Sequence, residues 1–188
     1  TDDRLKTYAE QLWLLGFNSV EVAEIRGYRG VFSDEDLAKS ITPKLIVFMK
    51  ALRENGLQVS QFIWGQSLFV EGENLCWNSP EERKTMEKEF RRLAETYGRY
   101  VDHIVVHVGD PGGCTRNGCD AYATTQQIAT FLLNEYRKVN PNVTATLSTW
   151  ANEGFLNGSP NTKFLDETYS PKELSIALHR WYDVLKCD

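Results

Sequence analysis

The sequence predicts an α/β fold built from parallel βα repeats, and three observations carry that expectation. Helical apolar spacing alternates with β-branched runs along the chain. Links from helix to strand are short and marked by Gly or Asn-Pro, whereas links from strand to helix are long. The strands alternate apolar and polar residues, unlike the continuous apolar runs of a sheet covered by helices on both faces. Strands that each feed a helix must lie parallel, joined by right-handed crossovers.

The elements follow in order. Leu5, Tyr8, Leu12 and Leu15 share one helical face over residues 5–15, and Gly16 stops that helix. Residues 17–25 read as a strand, 43–55 as a helix beginning at Pro43 and stopping at Gly56, and 57–64 as a second strand. Ser79-Pro80-Glu81-Glu82 combines a capping residue, proline at the first helical position and acids in the first turn. The helix it opens is expected to reach Tyr97 and stop at Gly98. A third strand spans 101–108, a helix 122–139, and a fourth strand 143–150. Ser170-Pro171-Lys172-Glu173 repeats the start pattern and predicts a last helix to Leu185.

The long loops are 26–42, 65–78, 109–121 and 151–169, all on the side of the strands' carboxyl ends. Elaborate loops on that one face are the layout of a TIM-barrel enzyme. The alternative, an open doubly wound sheet, would bind ligand at the same face. Polar residues share one parity: Ser19 and Glu21 in the first strand, His107 in the third, and Thr144, Thr146, Ser148 and Trp150 in the fourth. Such a face suits a barrel interior that opens into a site. Four βα units do not close an eight-stranded barrel. Residues 1–188 are therefore expected to form a single α/β domain, part of a larger (β/α)8 catalytic barrel whose remainder lies elsewhere.

Composition narrows the partners. Apolar residues make up 41% and charged residues 25%, the balance of a globular domain. A formal net charge of −5 argues against nucleic acid, and the densest basic pair, Arg91-Arg92, lies on a Glu-rich helix, where a solvated face is expected. No apolar run is long enough to span a bilayer, so no membrane partner is expected. Residues 1–16 lack the pattern of a signal peptide, and two short glycosylation sequons begin at Asn142 and Asn157. A secreted or periplasmic setting is slightly favoured over others. Of four cysteines, Cys114 and Cys119 flank a short turn that suits a local disulfide, half a metal site or inert thiols. Their spacing is wrong for a zinc pair and Cys76 and Cys187 form no second one, so neither metal nor cofactor is expected.

The chemistry-bearing residues cluster at strand ends. Asp110 follows the third strand in Gly109-Asp110-Pro111-Gly112-Gly113, a turn that ends any regular structure and presents a carboxylate. Glu153 follows the fourth strand beside Asn152. Cleavage of a glycosidic bond needs two carboxyl groups, one to donate a proton and one to attack or activate water. Asp110 and Glu153 are the expected catalytic pair. Glu21, Trp64, Gln66, His107, Trp150 and Asn152 are expected to line a sugar site. The bland reading of each is a capping turn residue for Asp110, an exposed loop acid for Glu153 and core packing for Trp64. For Glu21 it is an internal ion pair, and for His107 a satisfied structural histidine.

Two segments resemble known families. Arg4–Tyr8 together with Leu15–Glu21 looks like the helix-then-strand opening of α-glucuronidase-like TIM-barrel glycoside hydrolases. His107-Val108-Gly109-Asp110 is similar to the H-x-G-G-D-E segment of β-hexosaminidases, and the likeness places Asp110 in the catalytic acid apparatus. Pro111 stands where that pattern continues toward a second acid, so substrate-assisted chemistry does not carry over. Asn152-Glu153 resembles the Asn-Glu acid/base of another barrel glycosidase clan. The resemblance implies a glycoside hydrolase acting on an oligosaccharide or glycoconjugate, retaining or inverting. The alternatives are a non-catalytic carbohydrate-binding barrel and a metal-dependent sugar isomerase-like barrel.

Overall fold

The computed structural model describes residues 1–23, 35–65, 75–107, 114, 116–119, 121–148 and 174–177, with 35–40, 121–122, 148 and 174–177 described by backbone alone. The chain runs α1 (Asp2–Leu14), β1 (Ser19–Ala23), α2 (Glu35–Glu54), β2 (Gln58–Trp64), α3 (Pro80–Tyr97), β3 (His103–His107), α4 (Ala121–Val139), β4 (Thr144–Ser148) and β5 (Leu174–Ala177). The five strands form one sheet in the order β1-β2-β3-β4-β5, and every neighbouring pair is parallel. A doubly wound sheet reverses its strand order at a switch point. This sheet keeps chain order throughout, so its winding is of the TIM-barrel type rather than the doubly wound alternative.

The two faces of the sheet differ as the strand alternation predicts. Val22, Val59, Ile63, Ile104, Val106, Ala145 and Leu147 are buried in one core with Phe90, Leu93, Ile128, Leu132 and Tyr136 from α3 and α4. The opposite face carries Glu21 in register with Ser60, Ser60 with His103, and His103 with Thr144. Above that row stand Phe62, Val105 and Thr146, and above it Trp64 and His107. Polarity on one side and hydrocarbon on the other force this register, because a slip by one residue would exchange the faces.

Tight helix-to-strand links set the parallel order. Gly16 and Gly56 adopt φ of +87° and +81°, the left-handed turn that ends α1 and α2. Gly98 stops α3 differently. Its φ is −52°, and a Cβ there would lie 3.1 Å from Val139 Cβ, so it admits the end of α4 rather than reversing the chain.

Three expectations need correction. The last helix is not present over 174–177, which form β5. Leu174 and Ile176 fall in register with Ala145 and Leu147, so pairing with β4 overrides the Ser-Pro start signal before them. Helix α2 begins at Glu35 rather than at Pro43, which lies inside it at the loss of one backbone hydrogen bond. Ser79 takes the cap position of α3, yet its hydroxyl makes no capping bond to the helix and instead hydrogen-bonds the Glu82 carboxylate.

Candidate functional site

The carboxyl ends of β2 and β3 bring Phe62, Trp64 and His107 together. Phe62 and Trp64 are two residues apart on one strand and therefore share a face. Their rings meet edge-on with centroids 5.3 Å apart. His107 stacks on Phe62 at 5.4 Å and meets Trp64 edge-on at 4.8 Å. His107 is 2% exposed, whereas Trp64 remains half-buried. The histidine thus braces the indole from behind, and Trp64 offers an apolar surface at the strand ends. Gly65 continues the ladder, donating its N–H to the His107 carbonyl at 2.8 Å, and a Cβ on Gly65 would stand 3.0 Å from that oxygen.

Lower on the same face lies a second polar group. His103 is held between two hydroxyls, Nδ1 2.7 Å from Thr144 Oγ1 and Nε2 2.9 Å from Thr146 Oγ1. Burial keeps its pKa below the ordinary value, so the ring is neutral. One ring nitrogen donates, the other accepts, and the hydroxyls rotate to match. Glu21, exposed, stands in this lower row, two residues further along the register than Ser19 and four short of the level of Trp64. Four residues of strand correspond to about 13 Å. Glu21 therefore shares the face of Trp64 but not its level.

The loops after β2 and β3 meet at three cysteines. The buried thiols of Cys76, Cys114 and Cys119 form no disulfide and lie within 4.8 Å of one another. The local disulfide considered for Cys114 and Cys119 is not formed, and the third thiol comes from a different loop. Glu82, in the first turn of α3, accepts the Cys76 N–H at 2.7 Å and pairs with Arg116 at 2.8 Å. The Cys76 amide and Arg116 together hold the Glu82 carboxyl below its usual range, against the opposing effect of burial.

Of the residues read from the sequence, the structure brings Trp64 and His107 into contact and sets Glu21 lower on the same face. Asp110, Glu153, Gln66, Trp150 and Asn152 lie outside the described residues. Phe62, His103 and Cys76 were missed. Period-two spacing was the available signal for the first two: Phe62 shares the parity of Trp64, and His103 that of His107. Nothing local links Cys76 to residues some forty positions later.

The fold defines a class, parallel βα winding of the TIM-barrel type. No family model and no curated protein matches the chain. Solved structures do. The tandem GH20 catalytic modules of the pneumococcal exo-β-D-N-acetylglucosaminidase superpose with a TM-score of 0.62 at 11% identity, over 94% of this chain and 55% of that one. A D-psicose 3-epimerase gives 0.59 at 15% identity, over 98% and 61%. The GH5_18 protein of Streptomyces cattleya, complexed with Manβ1-4GlcNAc, gives 0.54 at 13% identity, over 79% and 40%. These neighbours are TIM barrels, and the chain matches a partial barrel spanning less than two thirds of each.

Proposed function

We propose that the chain belongs to a carbohydrate-acting barrel, and specifically to a glycoside hydrolase. The observation that carries this reading is the Phe62–Trp64–His107 cluster, which puts a braced, half-buried indole at the strand ends of a polar sheet face. A sugar ring presents apolar C–H groups on its faces and hydroxyls on its rim, so it matches an aromatic plane set among polar groups. Solved barrels of similar winding include enzymes named for action on glycosides.

Asp110 and Glu153 follow β3 and β4, adjacent strands, by three and five residues. In the proposed reaction one carboxylic acid gives its proton to the glycosidic oxygen as that bond breaks. The other carboxylate attacks the anomeric carbon, or takes a proton from the water that does so. Trp64 stacks on the sugar, and His107 acts through Trp64. Asn152, Gln66 and Trp150 complete the lining in this proposal, and Glu21 lies beneath it.

Turnover of a panel of aryl glycosides and oligosaccharides by the intact protein tests the assignment. Asp110→Asn and Glu153→Gln are each expected to lower kcat by roughly 10²–10⁴-fold with folding unchanged. Full activity in both would sink it. Sugar binding by calorimetry without release of reducing ends would instead identify a non-catalytic binding barrel. A second reading, an epimerase of a free sugar, is favoured by the superposition of the D-psicose 3-epimerase over 98% of the chain. Activity that disappears with a chelator and returns with a divalent metal would select it.

A further inference from the structure

We infer that Cys76, Cys114 and Cys119 together bind a single zinc ion that clamps the loop after β2 to the loop after β3. The argument begins with the backbone. Asn117 and Gly118 adopt φ of 52° and 68°, two consecutive left-handed residues in a turn over 116–119 that the Cys119 N–H closes on the Arg116 carbonyl at 2.9 Å. Asn tolerates that region and Gly enters it without strain. The turn brings Cys114 and Cys119 onto one side, where Cys76 meets them from the β2–α3 loop with its Sγ 3.4 Å from that of Cys119.

The spacing fits one metal ion. Zn–S bonds of about 2.3 Å at tetrahedral angles place sulfurs about 3.8 Å apart. Here the Cys76 and Cys119 sulfurs are 3.4 Å apart and all three sulfurs lie within 4.8 Å. An iron–sulfur cluster distributes its cysteines over separate irons and needs them further apart. A disulfide would use two of the three and strand the third.

Several N–H groups are directed at the sulfurs. The Arg116 N–H points at Cys114 Sγ from 3.3 Å, and the backbone amides of Asn78 and Ser79 hydrogen-bond Cys76. Asn117 Nδ2 lies 3.6 Å from Cys76 Sγ. Each thiol still protonated releases its proton to solvent as it binds. A water or a further side chain takes the fourth position. Glu82 supports the arrangement by gripping the Cys76 amide and Arg116 at once.

Reduced, freshly purified protein is loaded with zinc chloride, freed of excess metal and assayed by atomic emission. One zinc per chain is expected, and cobalt in its place should give the intense thiolate-to-metal absorption of a tetrahedral site. Cys76→Ser, Cys114→Ser and Cys119→Ser should each lose the metal. Should these variants fail to fold, a thiol-specific mercurial added to the wild-type protein should release zinc in step with three thiols. Glu82→Gln keeps all three sulfurs and should weaken zinc binding roughly 10–100-fold. Reduced protein that retains no zinc, or zinc release that does not follow the thiols, overturns the inference. So does a disulfide between Cys76 and Cys119 that forms in the presence of zinc.

Discussion

Gln61 shows how a single buried polar residue shapes the helix-facing side of the sheet. It is fully buried, its Oε1 accepts the Tyr136 hydroxyl at 2.7 Å, and its Nε2 has no hydrogen-bond partner among the described residues. Tyr136→Phe would leave both ends of the amide without that contact. A cost of about 1–3 kcal/mol is expected, read from the urea midpoint. Adding Gln61→Met to Tyr136→Phe should recover much of the loss, because the desolvated amide is then gone. His103 supplies a second residue-scale prediction. Burial lowers its folded pKa below the ordinary 6.5, so the unfolded chain binds the proton more readily. Stability is therefore intact above about pH 6.5 and falls as pH drops below it toward the folded pKa. His103→Gln should flatten that part of the pH–stability curve, measured by thermal melts across pH 5–8.

At the scale of elements, the two ends of the strands do different work. Near the amino-terminal ends, Asp102 ion-pairs with Arg53 of α2 and accepts the Val59 N–H at 2.9 Å, joining α2, β2 and the entry to β3. Barrel folds use that end for stability and the opposite end for chemistry. Asp102→Ala is expected to cost about 1–2 kcal/mol, since the pair is partly exposed, while sugar affinity stays unchanged. Trp64→Ala should weaken sugar binding roughly tenfold in calorimetry, and it should also lower the melting temperature, because the indole packs on Phe62, His107 and the core. Along α3 the expected solvated charge face is present. Arg83 and Arg91 both reach Glu87, Arg91 also reaches Glu135 of α4, and Arg92 reaches Glu89, so the Arg91-Arg92 pair is taken up by acids of α3 and α4.

Across the whole molecule, chain-order winding leaves β1 and β5 at the two edges of the described sheet. Helix α1 packs on α2, with Tyr8 stacked on Phe48 at 5.7 Å, yet its far end exposes Trp13, Leu14, Leu15 and Phe17. Leu14 and Leu15 are 67% and 75% exposed, an apolar patch beside an open edge. The double variant Leu14→Lys with Leu15→Lys should leave the fold intact, read from its thermal melt. Its effect on unfolding free energy should stay within about 0.5 kcal/mol at each position.

Local pattern alone was enough for much of this architecture. Period-two alternation determined which residues of 143–147 and 103–107 face the helices, because burial admits only one parity. Glycine after a helical run determined the short links at Gly16 and Gly56, because only glycine enters a left-handed turn without strain. The parity of His107 was likewise in the sequence, whereas its contact with Trp64 came from the pairing of β2 with β3. Tertiary structure decided the rest. Residues 170–173 carry a sound helix start, but β4 offered Leu174–Ala177 a hydrogen-bonded edge in apolar register, and pairing outweighed propensity. Pro43 reads as a helix boundary, yet α2 runs through it. The meeting of Cys76 with Cys114 and Cys119 depends on two loops that approach only when β2 and β3 lie side by side, a long-range contact with no local signature.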